Sequence, residues 1–278
     1  MKTFLEFYQE LSERQIQYNN NANYGQIVFF AGGSGSGKGF SISNFIDSNK
    51  FKISDVDKLK KQMSRLPSLK AKYPEIEKLN LRNSEDVGKL HAIAKAEKLP
   101  ERQLNALISG MQYPETLPNI LFDITMRDLD QVNEYVPKLI SLGYKAENIH
   151  ITWVLTDYSV AVVRNRNRER VVPDDIMLKT HTGAALTIGK ILQTKLPHSI
   201  NGSVTIILNN PEEVTYYDRS DNSENELQLV KDFKYITVKK SKRPFVGVAE
   251  IDSEVRNTLY RWVKSNAPVN KNIEKMFS

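Results

Sequence analysis

The run GGSGSGK at residues 32–38 sets Gly32, Gly37 and Lys38 in the spacing G-x-x-x-x-G-K. A glycine-rich turn can aim successive backbone N–H groups at one point and so cradle phosphate oxygens. A helix starting at its end adds partial positive charge, and the lysine reaches the outer phosphates of a nucleoside triphosphate. Gly33, Ser34, Gly35 and Ser36 would line that cradle, with Gly39 and Phe40 opening the helix. Gly39 departs from the pattern, because such loops place there a Ser or Thr whose hydroxyl binds Mg²⁺. Ser41 lies two residues on, about 200° round a helix axis, and is poorly placed to replace it. The plainer alternative is a flexible glycine turn with a solvated lysine.

Acids and arginines follow. ISDVDKLK carries Asp55, Asp57 and Lys60; NILFDITMRD carries Asp123, Thr125 and Arg127. Mg²⁺ keeps several waters, so a carboxylate from Asp55, Asp57 or Asp123, direct or through water, can stand in for the missing hydroxyl. An acid close to an acceptor hydroxyl takes its proton, while Lys60 holds an anionic substrate. Asp before a helix is also a common N-cap, and Arg127 has a plain alternative in a salt bridge to Asp128 or Asp130. RNRNRERVVPDD supplies Arg164, Arg166, Arg168 and Arg170. On a helix Arg164 and Arg168 share one face, with Arg166 and Arg170 roughly opposite. Guanidinium groups neutralise charge on a transferred phosphoryl group; a solvated basic helix is the alternative.

These residues need a scaffold, and the apolar pattern describes one. QIVFFA before the glycines reads as a strand buried on both faces. KGFSISNFID reads as a helix, FKISDVD as a second strand and NILFDI as a third. The helix DLDQVNEYVPKLISLG follows, with a kink expected at Pro137 and a stop at Gly143. NIHITWVL and GSVTIILNN are further strands, and FKYITVKK is an edge strand. Helices are expected over residues 3–18, 84–99, 100–111, 252–264 and 268–277, and a flexible loop at DRSDNSENE (218–226). Strands alternating with helices predict an α/β fold with a mostly parallel sheet, helices on both faces and helical insertions. One domain is expected, with a core over about 24–217 and residues 218–278 as an extension. Asp55, Asp57 and Asp123 would then all lie at the carboxyl edge, where such sheets bind ligands.

With 278 residues, 40% of them hydrophobic, the chain can bury a sizeable core. It has no cysteine, which excludes disulfides and thiolate metal sites and fits a reducing compartment. The first segment, MKTFLEFYQELSER, carries three glutamates and does not read as a signal peptide. No apolar run approaches the ~20 residues of a membrane span, so a cytoplasmic protein without membrane contact is expected. The net charge of +6, with basic clusters at Lys58–Arg65 and KKSKRPF, favours polyanionic ligands without choosing among them.

Taken in order, five stretches resemble the zeta-toxin family of P-loop kinases: GGSGSGKGF; ISDVDKLK, similar to that family's D-x-D-x-F-K/R; NILFDITMRD, similar to its acid-x-T-x-R; RVVP, similar to R-x-T-P; and VTIILNNPEEVTYY. The resemblance spans roughly residues 24–217. It implies a kinase that uses ATP and Mg²⁺, with Lys38 on the β- and γ-phosphates, Asp57 as base and Lys60 on the substrate side. Asp123 stands where the family usually has Glu and, like Asp55, would contact substrate or the metal shell. Thr125 and Arg127 would line the cleft, with Arg164 and Arg170 as lid arginines. The family acceptor is a UDP-activated amino sugar, and a toxin role would bring a neutralising protein partner. Two other functions stay open: a polynucleotide kinase gripping DNA or RNA through basic segments, and a nucleotide-binding protein without catalysis, which Gly39 would suit.

Overall fold

The computed structural model describes residues 15–20, 22–55, 58–59, 62, 65–80, 83–108, 116–168, 171–197, 199–211, 215–216, 230–232, 234–242 and 250–278. Within them, the apolar run Ile27–Ala31 forms β1, with every residue fully buried. A strand buried on both faces must sit in mid-sheet, and it does. With β2 (Phe51–Asp55), β3 (Asn119–Ile124), β4 (Ile149–Leu155), β5 (Val204–Leu208) and, past a two-stranded ribbon of β6 (Thr215–Tyr216) and β7 (Val230–Asp232), β8 (Lys234–Lys239), it makes a six-stranded sheet. The spatial order is β2-β3-β1-β4-β5-β8, parallel throughout except for β8, which runs antiparallel along β5 at the edge. Chain connections leave β1 towards β2 on one side, and leave β3 and β4 towards the other. The carboxyl end of β1 is therefore a topological switch point, the crevice where open α/β sheets bind ligands.

Alternate β1 residues feed two cores. Val28 and Phe30 pack with Ile42 and Phe45 of α1 (Lys38–Phe45) and with Ile16 and Tyr18. Ile27, Phe29 and Ala31 join the larger cluster on the other face, where Phe29 stacks on Phe122. On that face α5 (Asp130–Ser141) buries Val132, Tyr135, Val136 and Leu139, a spacing of three, one and three that makes one helical stripe. Its Pro137 is exposed, so the carbonyl it leaves without a donor faces solvent. Gly143 (φ 104°) then lets the Tyr144 amide turn back to Leu139 O. Between β2 and β3 stand α2 (Pro67–Lys72), α3 (Ser84–Ala96) and α4 (Leu99–Ile108). Leu69, Ile76, Ile93, Ala94 and Leu99 give this helical insertion a small core of its own.

The expected first helix over 3–18 fails at its end: residues 15–18 are irregular, the Ile16 amide bonding Phe45 O, and residues 1–14 lie outside the described set. The arginine helix, α6 (Tyr158–Arg166), stops before Arg168, so helical spacing does not pair Arg168 with Arg164. The sequence reading also passes over α7 (Asp174–Leu192), 19 residues entered through Pro173 with Asp174 and Asp175 in its first turn. Gly183 and Gly189 weaken its pattern, yet each marks a close approach. A Cβ at 183 would lie 2.7 Å from Arg127 O, and one at 189 would lie 2.6 Å from Met276 Sδ. Residues 253–278, beyond the expected core, thus brace α7 through α8 (Ser253–Asn266) and α9 (Lys271–Met276). The loop expected at 218–226 lies outside the described residues. No helix among those described is long and apolar enough to cross a membrane.

The amino end of the sheet is closed by buried polar pairs. His150, fully buried, accepts the Ser203 amide at Nδ1 (2.9 Å), so its Nε2 carries hydrogen and donates to Gln26 Oε1 (3.0 Å). Asn19 Nδ2 donates to the same oxygen, and Asn119 takes the Gln26 amide while donating to Ala22 O. Lys239 is buried there, donating to Gly202 O (2.8 Å) and Asn201 O (3.1 Å). It is therefore no part of the basic surface expected of KKSKRPF.

Candidate phosphate-binding site

The glycine loop joins β1 to α1 at the switch point. Gly35 (φ 77°) and Gly37 (φ 87°) adopt left-handed conformations that side chains resist. Contact adds a second reason: a Cβ at Gly35 would strike Ala161 O of α6, and one at Gly37 would strike Asn209 Nδ2. Gly37 caps α1 without any side-chain bond, and the first turn of α1 holds no acid. The helix start thus keeps its partial positive charge for an anion.

Beneath the loop, three side chains hold its carbonyls. His181 of α7 donates from Nε2 to Ser34 O (2.7 Å), while Thr156 Oγ1 (2.9 Å) and Asn209 Nδ2 (2.7 Å) both donate to Ser36 O. Trans peptide planarity sends the N–H of each following residue the opposite way, so the Gly35 and Gly37 amides face away from these anchors. Burial, helped by the Lys38 ammonium, holds the His181 imidazole below its ordinary pKa and keeps it neutral. Its ring meets the Tyr158 ring edge-on at 5.3 Å.

Above the loop, Lys38 Nζ donates to Gly32 O (3.0 Å) and lies 3.7 Å from Asp123 Oδ1. Asp55 and Asp123 stand opposite each other in the β2–β3 register, at the carboxyl ends of parallel neighbours and so on one face of the sheet. Asp55 also accepts the Lys58 amide (3.0 Å), the capping role that its position allowed. Arg164 donates to Asn209 O (2.9 Å), close to Gly37. Lys38, Asp55, Asp123 and Arg164 therefore meet around the loop. Phe40 turns from it to pack edge-on against Phe45. Thr125 follows β3, and Arg127, more than half exposed, pairs with Asp128 (3.1 Å). Asp57, Lys60 and Arg170 lie outside the described residues. At the end of α6, Asn165 is fully buried and bonds both ways with Val172, while Arg166 lies 3.6 Å from Asp174.

Gly39 is exposed, and a Cβ built there meets none of the described residues within 4 Å. Ser36 Oγ in the loop and Ser41 Oγ in α1 are buried and have no hydrogen-bond partner among the described residues, and neither has Asn209 Oδ1. No cluster of three or more metal-ligating side chains occurs among the described residues. Two carboxylates and open space at Gly39 suit an ion that keeps most of its waters and shares phosphate oxygens, as Mg²⁺ does.

Sequence reading reached the loop and its acids but not His181, Thr156 or Asn209. Asn209 sits in the NN that ends β5, a turn-like pair that was legible; His181 lay in the helix passed over.

Comparison with known proteins gives three findings. The family model described as Zeta toxin matches residues 9–222. No curated protein matches. Among solved structures, the chain is similar at 14% identity (TM-score 0.45, 75% of this chain, 78% of the other) to one from the PezAT chromosomal toxin–antitoxin system of the human pathogen Streptococcus pneumoniae. It is similar at 10% identity (TM-score 0.43, 91% of this chain, 75% of the other) to one from the AvrRxo1-ORF1:-ORF2 structure with ATP. The family match, covering most of the length and the whole glycine loop, is the finding with weight: this chain belongs to the zeta-toxin family and has its P-loop kinase-like fold.

Proposed function

We propose that the chain is an ATP-dependent phosphotransferase acting on a hydroxyl of a small anionic acceptor, such as a nucleotide sugar. The observation that supports this best is the pinned loop: Ser34 and Ser36 carbonyls drawn into the protein, with Lys38 and the Asp55–Asp123 pair beside it. Lys38 binds the outer phosphate oxygens of ATP. Asp57, in its family role, takes the acceptor proton as the acceptor oxygen bonds to the γ-phosphorus and the bridge to the β-phosphate breaks, leaving ADP. Arg164 and Arg170 neutralise charge on the group in transfer. Lys60, Thr125 and Arg127 hold the acceptor, together with Asp55 and Asp123. The same two acids are the donors offered to Mg²⁺, which when bound neutralises phosphate oxygens. If the activity is toxic, a neutralising protein partner follows.

Gly39 supports a second reading, a nucleotide-binding protein without transfer. One experiment separates them: γ-labelled ATP with a panel of nucleotide sugars, nucleosides, DNA and RNA, using wild type, Lys38→Ala and Asp57→Asn. Transfer to a nucleotide sugar, lost in both variants, is expected. ATP binding with no transfer to any acceptor would leave the second reading, and label on DNA or RNA would make the acceptor a polynucleotide.

A further inference from the structure

We infer that His181 is a positioning residue for nucleotide binding, acting through the Ser34–Gly35 peptide; the inference rests on the phosphate site proposed above. The imidazole lies on α7, where its Nε2 donates to Ser34 O at 2.7 Å. A carbonyl oxygen only accepts, so the bond fixes the tautomer with hydrogen on Nε2. Because the peptide is a rigid trans plane, holding the Ser34 oxygen on the α7 side holds the Gly35 N–H on the phosphate side. Releasing that oxygen lets the plane rotate, which is easy beside a glycine, and removes one donor from the cradle.

Two further observations carry the assignment. A Cβ built at Gly33 would fall 2.5–2.7 Å from Nε2, Cε1 and Cδ2 of the same ring. Gly33 is not among the positive-φ glycines, so its lack of a side chain answers to the ring packed on it rather than to backbone conformation. Second, the next peptide but one is treated alike. Ser36 O is held from the protein side by Thr156 and Asn209, 120 and 173 residues away. Distant elements thus converge on alternate carbonyls of one loop, and His181 is the sole side chain among the described residues bonded to the first of them. It touches no substrate; its effect passes through the peptide.

The test uses a near-isosteric pair. His181→Gln keeps an N–H that can reach Ser34 O, and His181→Met fills similar volume without one. ATP affinity is measured directly by calorimetry on the full chain, alongside thermal stability and the KM for each substrate. A net neutral hydrogen bond corresponds to about a tenfold change in affinity. The Met variant should therefore bind ATP about tenfold more weakly than the Gln variant, with the acceptor KM unchanged. Equal ATP affinities for two folded variants would overturn the inference. Gly33→Ala attacks the same bond from the other side and leaves His181 in place; unchanged ATP affinity there would also overturn it. Lys38→Ala keeps the two levels apart. If wild type itself binds no ATP, the phosphate site fails. If wild type binds, Lys38→Ala does not, and His181→Met matches His181→Gln, only the role of His181 fails.

Discussion

The two ends of the sheet handle buried polarity in opposite ways. At the amino end, Gln26, Asn119, His150 and Lys239 are almost wholly buried and meet partners through one another, Asn19, Ser203 or backbone carbonyls. At the carboxyl end, Ser36 Oγ, Ser41 Oγ and Asn209 Oδ1 are buried without partners among the described residues, clustered about a loop whose glycines admit no side chain. An unmet buried polar group costs about 1–3 kcal/mol. That cost falls at the end that also carries the glycine loop, where the proposed nucleotide would bind. The closed end holds the strands in place so that the open end keeps its shape.

The comparison can be broken most sharply with Lys38→Ala. At the open end it should lower phosphoryl transfer by about 10³-fold, read with γ-labelled ATP, while urea unfolding moves by less than about 1 kcal/mol. A matching loss of stability would mean that the lysine is structural. The converse is expected of His150→Leu at the closed end. It strands the Ser203 amide, so unfolding should become easier by about 2–3 kcal/mol, with ATP affinity of the folded protein unchanged. Gly39→Ser adds a hydroxyl where a Cβ meets none of the described residues within 4 Å. A few-fold drop in the Mg²⁺ concentration needed for half-maximal ATP binding is expected, with little change in stability; no drop would show that the carboxylates alone decide metal use.

The smallest effects are in pH. Each end holds a buried base whose pKa is depressed, so in each case the unfolded chain binds more protons than the folded one, and stability rises with pH through the window between the two values. For His181 that window lies below the ordinary histidine value of about 6.5. Its contribution is complete above that value and is lost as pH falls, and His181→Gln should flatten this acid limb. Burial pushes Lys239 down to about 8, so its window runs upward from there to the ordinary lysine value. Stability should rise across it in wild type and stay level in Lys239→Met, read by denaturant unfolding at fixed ionic strength.

Much of the scaffold was legible because it depends on neighbours in sequence. IVFFA has no polar residue to turn to solvent, so a fully buried strand followed from composition alone. G-x-x-x-x-G-K needs left-handed backbone that glycine supplies locally. The α7 helix was not legible, since two glycines and several threonines dilute its stripe, and their reasons lie in Arg127 and Met276, remote in the chain. The first helix was overestimated at its end because Ile16 and Tyr18 also suit an irregular segment lying on β1 and α1.

By itself, then, the sequence determined the parallel α/β plan, the phosphate-type loop, the missing hydroxyl at position 39 and the acids at strand ends. All of these follow from periodicity and from the conformations that single residues permit. Tertiary structure alone decided which acids face each other, through the register that sets Asp55 against Asp123. It alone decided that His181, Thr156 and Asn209 grip the loop from below. These are common residues separated by long stretches of chain, and nothing in their local sequence encodes a hydrogen bond that exists only once β4, β5 and α7 have packed around β1.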